Sequence, residues 1–237
     1  MKKKRKRNWL INIVLILLLV VGLALVFNNQ IKNWLIQRNG DAYSAQTLTS
    51  DVVDKNLARD TTFDFDAVES ASLEAVLNAQ MNNKDLPVIG AIALPDVSIN
   101  LPIFKGLSNI VLLIGAGTMK ADQVMGEGNY ALASHRTIDP ELLFSPLENT
   151  QLGDTIYLTD MKSVFTYEVT FKKRVAPTDV QLIDDVPDKK LVTLVTCGDM
   201  DAATRIIVQG ELRKKTPIKD ADDKMLKAFQ LETKTLG

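Results

Sequence analysis

Between Val164 and Lys173 the side chains alternate, with Phe165, Tyr167, Val169 and Phe171 interleaved by Thr166, Glu168, Thr170 and Lys172. A period of two sends every second residue to one face of an extended chain, so this stretch predicts a strand with one buried side. From Val88 onward the sequence consists of short apolar runs of this kind, broken by Pro, Gly, Asn and Asp. Further strands are expected over 89–94, 97–100, 110–113, 130–134, 155–159, 191–196 and 205–212. Many short strands with regular turn signals specify an all-β barrel or sandwich. One short helix is expected over 140–147, with Asp139 as N-cap and Pro140 at its first position.

The segment before Val88 is different. Residues 28–81 are polar and irregular, except that Leu73, Val76, Leu77 and Ala79 approximate a helical stripe over 71–81. They are expected to form a stalk ending in a helix that lies on the domain. Ahead of them, residues 2–7 are all Lys or Arg, and residues 9–27, from Trp9 to Phe27, carry no charge. A helix of that length extends roughly 28 Å, close to the hydrocarbon thickness of a bilayer. Basic residues cluster before the span, with only Lys32 and Arg38 soon after it. This distribution places the N-terminus in the cytoplasm and the rest of the chain outside the membrane. A cleaved signal peptide is the alternative, since Gly22-Leu23-Ala24 is a small-x-small triplet. The apolar run continues past that triplet to Phe27, which favours a retained anchor.

The first 40 residues hold eight basic side chains and no acidic one, leaving 20 basic against 29 acidic residues in the remainder, a net of −9. A body this acidic has no field with which to neutralise phosphates, so nucleic acid is excluded as a partner. Cys197 is the only cysteine, which rules out an intramolecular disulfide. Outside the membrane, such a thiol is either an inert buried residue or a reactive group.

The single His and the single Cys both close predicted strands: Tyr130-Ala131-Leu132-Ala133-Ser134-His135 and Thr193-Leu194-Val195-Thr196-Cys197. A strand end holds a side chain firmly while leaving it open to a groove. Nucleophilic attack by sulfur requires the thiolate, and a neighbouring imidazole can take the thiol proton and later give it to a leaving amine. Taken singly, a lone His is more often a satisfied structural residue and a lone Cys more often buried filler. One Cys and one His are too few for a structural zinc site. Arg205 opens the strand after the loop 198–204. If that strand pairs antiparallel with the cysteine strand, its guanidinium returns beside the sulfur, where a fixed cation would stabilise an oxyanion.

Together these segments resemble the sortase family, and specifically its class A. Leu132-Ala133-Ser134-His135 is similar to the family's histidine motif, Thr193-Leu194-Val195-Thr196-Cys197 matches its Thr-Leu-x-Thr-Cys motif, and Arg205 falls at the position of its arginine. Asn100-Leu101-Pro102-Ile103-Phe104-Lys105-Gly106, Gly115-Ala116-Gly117-Thr118-Met119 and Leu143-Phe144-Ser145-Pro146-Leu147 extend the resemblance, which runs over 87–212. It implies a closed eight-stranded sortase-type β-barrel with short helices, preceded by one N-terminal transmembrane helix. It also implies a cysteine transpeptidase. Cys197 would cleave the Thr–Gly bond of a Leu-Pro-x-Thr-Gly signal on a secreted protein and pass the acyl group to the amine of a peptidoglycan precursor. His135 would carry the proton, and Arg205 would hold substrate and oxyanion.

The same resemblance implies a groove walled by 175–180. Val175, Pro177, Thr178, Val180, Leu182 and Ile183 would contact the Leu-Pro portion, and Ala133, Val195, Thr196 and Ile207 would line the floor. An apolar groove suits a Leu-Pro ligand, because Pro has no backbone N–H to satisfy. Some class members bind calcium through acidic side chains near the histidine strand. Here the corresponding region, 119–129, offers Asp122 and Glu127 but also Lys120, and a cation among the ligands weakens such a site. No cofactor and no required metal are expected.

The expected organisation is a basic segment at 1–8, an anchor at 9–27, a stalk at 28–81, a catalytic domain at 82–213 and a charged tail at 214–237. Two alternatives stand beside this reading. A pilin-polymerising sortase would use the same three residues, but it is associated with a second, C-terminal membrane segment and a lid peptide, neither of which is visible in the sequence. A non-catalytic tethered β-domain would make Cys197 and His135 structural. Papain-like peptidases are disfavoured, since their cysteine opens a helix and precedes the histidine.

Overall fold

The computed structural model describes residues 2–27, 43–64, 85–199 and 201–230. The helix expected over 71–81 lies outside them. The uncharged N-terminal run lies in α1 (Lys2–Val26), whose stretch Trp9–Val26 is long and apolar enough to cross a membrane. Its side chains from Trp9 onward are exposed.

Among the described residues eight strands close into a barrel: β1 (Val88–Leu94), β2 (Ile99–Phe104), β3 (Ala116–Thr118), β4 (Asn129–Ala133), β5 (Thr155–Thr159), β6 (Ser163–Val175), β7 (Leu191–Cys197) and β8 (Arg205–Pro217). Around the barrel they run β1-β2-β3-β4-β7-β8-β6-β5. The alternating segment forms the centre of β6. Phe165, Tyr167 and Val169 are buried in the barrel interior and Phe171 packs on it half-buried, as the period of two demands.

β1 is buried on both faces. Ile92 and Leu94 join the barrel interior, whereas Ala91 and Ala93 belong to a second cluster outside it. Small residues on that outer face admit α4 (Asp223–Ala228), whose Met225 and Ala228, with the following Phe229, pack there with Tyr157 and Val164. Asp222 caps this helix by accepting from Met225 N at 2.9 Å, and Asn100 Nδ2 donates to Phe229 O at 3.3 Å. The last strand is expected to end at residue 212, with a charged tail after it. The strand instead runs to Pro217, because residues 214–217 pair with 163–166 of β6.

Three other expectations are corrected. Residues 110–113 form part of α3 (Asn109–Ile114) rather than a strand, with Ser108 as N-cap accepting from Val111 N at 3.3 Å. Four consecutive buried apolar residues carry no period that separates helix from strand. Residues 140–144 are not helical. Leu143 has φ of 52°, which interrupts a right-handed helix, and a 3-10 turn follows over Ser145–Asn149. Asp139 does accept locally, from Glu141 N at 3.0 Å. Finally, α2 (Ser50–Leu57) lies within the segment read as a polar stalk and is docked on β1. Val53 is buried and Asn56 Nδ2 donates to Val88 O at 2.8 Å.

Candidate active site

Strand direction decides which residues meet. β4 and β7 pair parallel, with Ala133 opposite Val195, so their C-terminal ends leave the barrel at the same edge. Ser134 N continues the ladder to Val195 O at 3.2 Å, and Thr196 Oγ1 donates to Ser134 O at 2.9 Å. His135 therefore emerges beside the end of β7. β8 returns antiparallel to β7 with Arg205 directly opposite Cys197. The three residues singled out from the sequence are thus brought to one barrel edge by two pairings of opposite sense.

Each is held differently. Arg205 Nη1 donates to Ala202 O at 2.7 Å and to Thr204 O at 3.0 Å, fixing the guanidinium on its own loop. Cys197 is half-buried. Burial pushes its thiol up, the Arg205 guanidinium opposes this, Asp199 adds to the rise, and Arg136 opposes it. Burial also lowers His135 to about 4. Its Nε2 is buried and has no hydrogen-bond partner among the described residues. At neutral pH both groups are then uncharged: a thiol that needs a base, and an imidazole nitrogen with an open lone pair or proton.

The residues expected to form the groove divide into floor and wall. Ala133, Val195, Thr196 and Ile207 are buried. Ala133, Val195 and Ile207 lie abreast on three adjacent strands and share a face with Cys197 and Arg205. Thr196 points the other way, into its bond with Ser134, so it supports the site from behind. Val175 ends β6 opposite Arg205 and is buried. Pro177, Thr178 and Val180 are exposed, while Leu182 and Ile183 are half-buried and pack on the core.

Sequence reasoning missed what anchors this wall. Asn129 Nδ2 donates to Leu182 O and Asp184 O, each at 3.0 Å, and Gln209 Nε2 donates to Leu182 O at 3.0 Å. Thr193 Oγ1 donates to Asn129 Oδ1 at 2.6 Å and accepts from Gln209 Nε2 at 3.0 Å. A polar trio on three adjacent strands thereby pins the 3-10 turn Val180–Ile183 across the floor. The available signal was an Asn, a Thr and a Gln at positions that share the face of Val195 in otherwise apolar strands. Near the edge of the barrel, Lys120 Nζ donates to Asp185 Oδ1 at 2.6 Å, and the same oxygen accepts from Asn129 N at 2.9 Å. Among the described residues no group of three or more His, Cys, Asp or Glu side chains converges on a point.

Residues 92–213 match the sortase domain family. Over 97% of its length the chain is 47% identical to sortase A of Streptococcus agalactiae serotype III, covering 96% of that protein. The chain belongs to the sortase family. It is also 39% identical to sortase A of Listeria monocytogenes serovar 1/2a, across 85% of this chain and 90% of that one. The crystal structure of Listeria monocytogenes sortase A matches with a TM-score of 0.56 at 40% identity, covering 60% of this chain and 97% of that one. These likenesses make the protein a class A sortase, and its barrel that of a cysteine transpeptidase.

Proposed function

We propose that this sortase cleaves the Thr–Gly bond of Leu-Pro-x-Thr-Gly signals on secreted proteins and joins the threonine carbonyl to the amine of a peptidoglycan precursor, with Cys197, His135 and Arg205 as its catalytic residues. The observation that carries the assignment is the convergence of the protein's single cysteine, its single histidine and Arg205 at one barrel edge. A cysteine transpeptidase with one cysteine has one candidate nucleophile.

In this mechanism neutral His135 takes the Sγ proton as sulfur attacks the threonine carbonyl carbon. The carbonyl oxygen gains the negative charge, and Arg205 donates to it. The C–N bond then breaks, the imidazolium returns its proton to the departing glycine amine, and a thioester to Cys197 remains. The acceptor amine attacks that thioester, loses a proton to His135, and expels the thiolate, which is reprotonated. The neutral resting pair suits this cycle, since the proton removed from sulfur is the one the leaving amine requires. Ala133, Val195 and Ile207 would receive the Leu-Pro portion, with Val175, Pro177, Thr178, Val180, Leu182 and Ile183 as the wall. Their apolar character supports this role.

The distribution of basic residues about α1 supports an anchor with its N-terminus in the cytoplasm and the barrel on the outer face. The test of the activity is incubation of the full chain in detergent with a Leu-Pro-x-Thr-Gly peptide and an added amine, read by mass spectrometry, beside a Cys197→Ala control. Cleavage and transfer by the wild type alone is the expected result. Absence of both across several amines, or their persistence in Cys197→Ala, would refute the reading.

A further inference from the structure

Glu148 lies on the 3-10 turn that follows the histidine loop, and its carboxylate is shared by two arginines. Arg136, next to His135, donates Nη1 to Glu148 Oε2 at 2.7 Å. Arg174, from the end of β6, donates Nη2 to both carboxylate oxygens, at 3.0 and 2.9 Å. The other end of the Arg174 fork reaches the loop between the cysteine and arginine strands: Nη1 donates to Gly198 O and to Thr204 Oγ1, the latter at 3.2 Å. Gly198 directly follows Cys197 and Thr204 directly precedes Arg205. The loop is further closed by Gly198 N donating to Thr204 O at 2.8 Å, and by Asp199, which accepts from Thr204 Oγ1 at 2.6 Å and Ala203 N at 2.7 Å.

One carboxylate and one guanidinium thus connect the residue after the histidine to the residues flanking the cysteine and the arginine. Two further features fit a shaped contact. A Cβ at position 198 would sit 2.6 Å from Arg174 Nη1 and against Thr204, so glycine there is what lets the guanidinium reach its carbonyl. Lys172, two residues before Arg174, donates to Glu148 O at 2.5 Å and Thr150 O at 2.9 Å, fixing the turn that carries the carboxylate. The Arg174 and Glu148 side chains are 42% and 41% exposed, and ion pairs that open contribute little to folding. Their consequence is geometric: a bidentate pair defines distance and plane in a way that a single contact does not.

We propose that Glu148 and Arg174 are positioning residues of the transpeptidase, a bridge that sets the loop from Cys197 to Arg205 against the His135 segment. This rests on the assignment of those three residues to the chemistry. The bridge holds Gly198 and Thr204, which fixes the carbonyl of Thr204 on which Arg205 is itself seated, and so aims the Arg205 guanidinium beside the sulfur.

The test compares full-length wild type, Glu148→Gln, Arg174→Gln, the double variant and Arg174→Lys. With the signal peptide, each single variant is expected to lose about tenfold or more in kcat while KM changes less than about threefold, the pattern of a fault in the transition state rather than in binding. The double variant should lose no more than the worse single one, because both break the same bridge. Arg174→Lys should not restore the rate, since one ammonium cannot serve a carboxylate, a carbonyl and a hydroxyl together. A second readout needs no peptide: the pH midpoint of Cys197 alkylation by iodoacetamide. The charged groups that act on that sulfur are Arg205, Asp199 and Arg136. The midpoint should rise in Arg174→Gln and in Arg174→Lys alike, as Arg205 loses its seat. Unchanged kcat and midpoint, independent additive losses, full rescue by lysine, or a rate loss matched by a fall in Tm beyond about 10 °C would each overturn the proposal. If the wild type fails to process the peptide, the activity reading falls, and the alkylation midpoints still decide the bridge.

Discussion

Replacing Arg205 by lysine separates charge from geometry at the barrel edge. The guanidinium is seated through Nη1 on the carbonyls of Ala202 and Thr204, which fixes the plane of the fork opposite Cys197. Lysine keeps the positive charge but has a single donor point, and an ammonium drawn to those carbonyls cannot also present forked donors to a substrate oxygen. Losing one oxyanion donor raises the activation barrier of the reaction by about 2.7–4 kcal/mol, so kcat/KM should fall roughly 10²-fold or more. The cost to folding is far smaller. Arg205 is half-buried, and an ammonium recovers one of two carbonyl contacts, leaving a net loss on the order of 1 kcal/mol and a Tm change of roughly 2–4 °C. Steady-state transfer kinetics with a fluorogenic signal peptide, beside thermal unfolding of the same preparations, measure both. A lysine variant within a few-fold of the wild-type rate would refute the forked-donor role. A Tm fall of about 10 °C would mark Arg205 as structural instead.

The remaining predictions concern the histidine, the groove wall and the anchor. Burial holds His135 at about 4, whereas an unfolded imidazole titrates near 6.5, so the unfolded chain takes up the proton first. This destabilises the folded state only as pH falls below about 6.5 and amounts to roughly 3 kcal/mol by pH 4, a loss that His135→Gln should escape. Urea unfolding of both proteins at pH 7.5 and 4.5 measures it, and equal losses would contradict the buried neutral imidazole. Gln209→Ala removes one of two donors to Leu182 O and should raise KM for the signal peptide about three- to tenfold with kcat within twofold, whereas a fall in kcat alone would remove the wall from substrate binding. For the anchor, protease added to intact cells should remove the barrel, and protection until lysis would reverse the orientation.

The fold was legible where a period existed. The alternation through Phe165, Tyr167 and Val169 requires one buried face, and β6 has it. Where side chains are buried without a period, the sequence is ambiguous. Val111 to Ile114 are all buried because α3 is enclosed, and the Ser108 cap was the only local sign of a helix. α2 offers few apolar positions, of which only Val53 is buried, and its other tie to the barrel is a polar bond from Asn56 to a strand carbonyl, a contact no hydrophobic pattern announces. The 3-10 turn at 145–149 follows a left-handed Leu143, and Leu142, Leu143 and Phe144 are buried in succession, which a one-sided helix does not permit.

The same distinction runs through the site. Cys197 and His135 stood out because each is the only residue of its type and each closes an apolar run, and Arg205 followed from assuming an antiparallel return. What the run of letters could not supply was that β4 and β7 lie side by side and parallel, since the strands between them in sequence pair elsewhere. That one adjacency brings the histidine and cysteine ends to a common edge. It also creates contacts between residue types too common to notice. Glu148 and Arg174 stand 26 residues apart, and Leu182 and Gln209 stand 27 apart. Each of these polar pairs becomes meaningful only when barrel closure places it next to the end of the Cys197 strand or the 3-10 turn 180–183. The proposed nucleophile, base and oxyanion donor are groups whose chemistry few side chains can perform, so candidates for these roles stand out in a sequence. The groups that aim them need only charge or an amide at the right point in space, and that point is a property of the closed barrel.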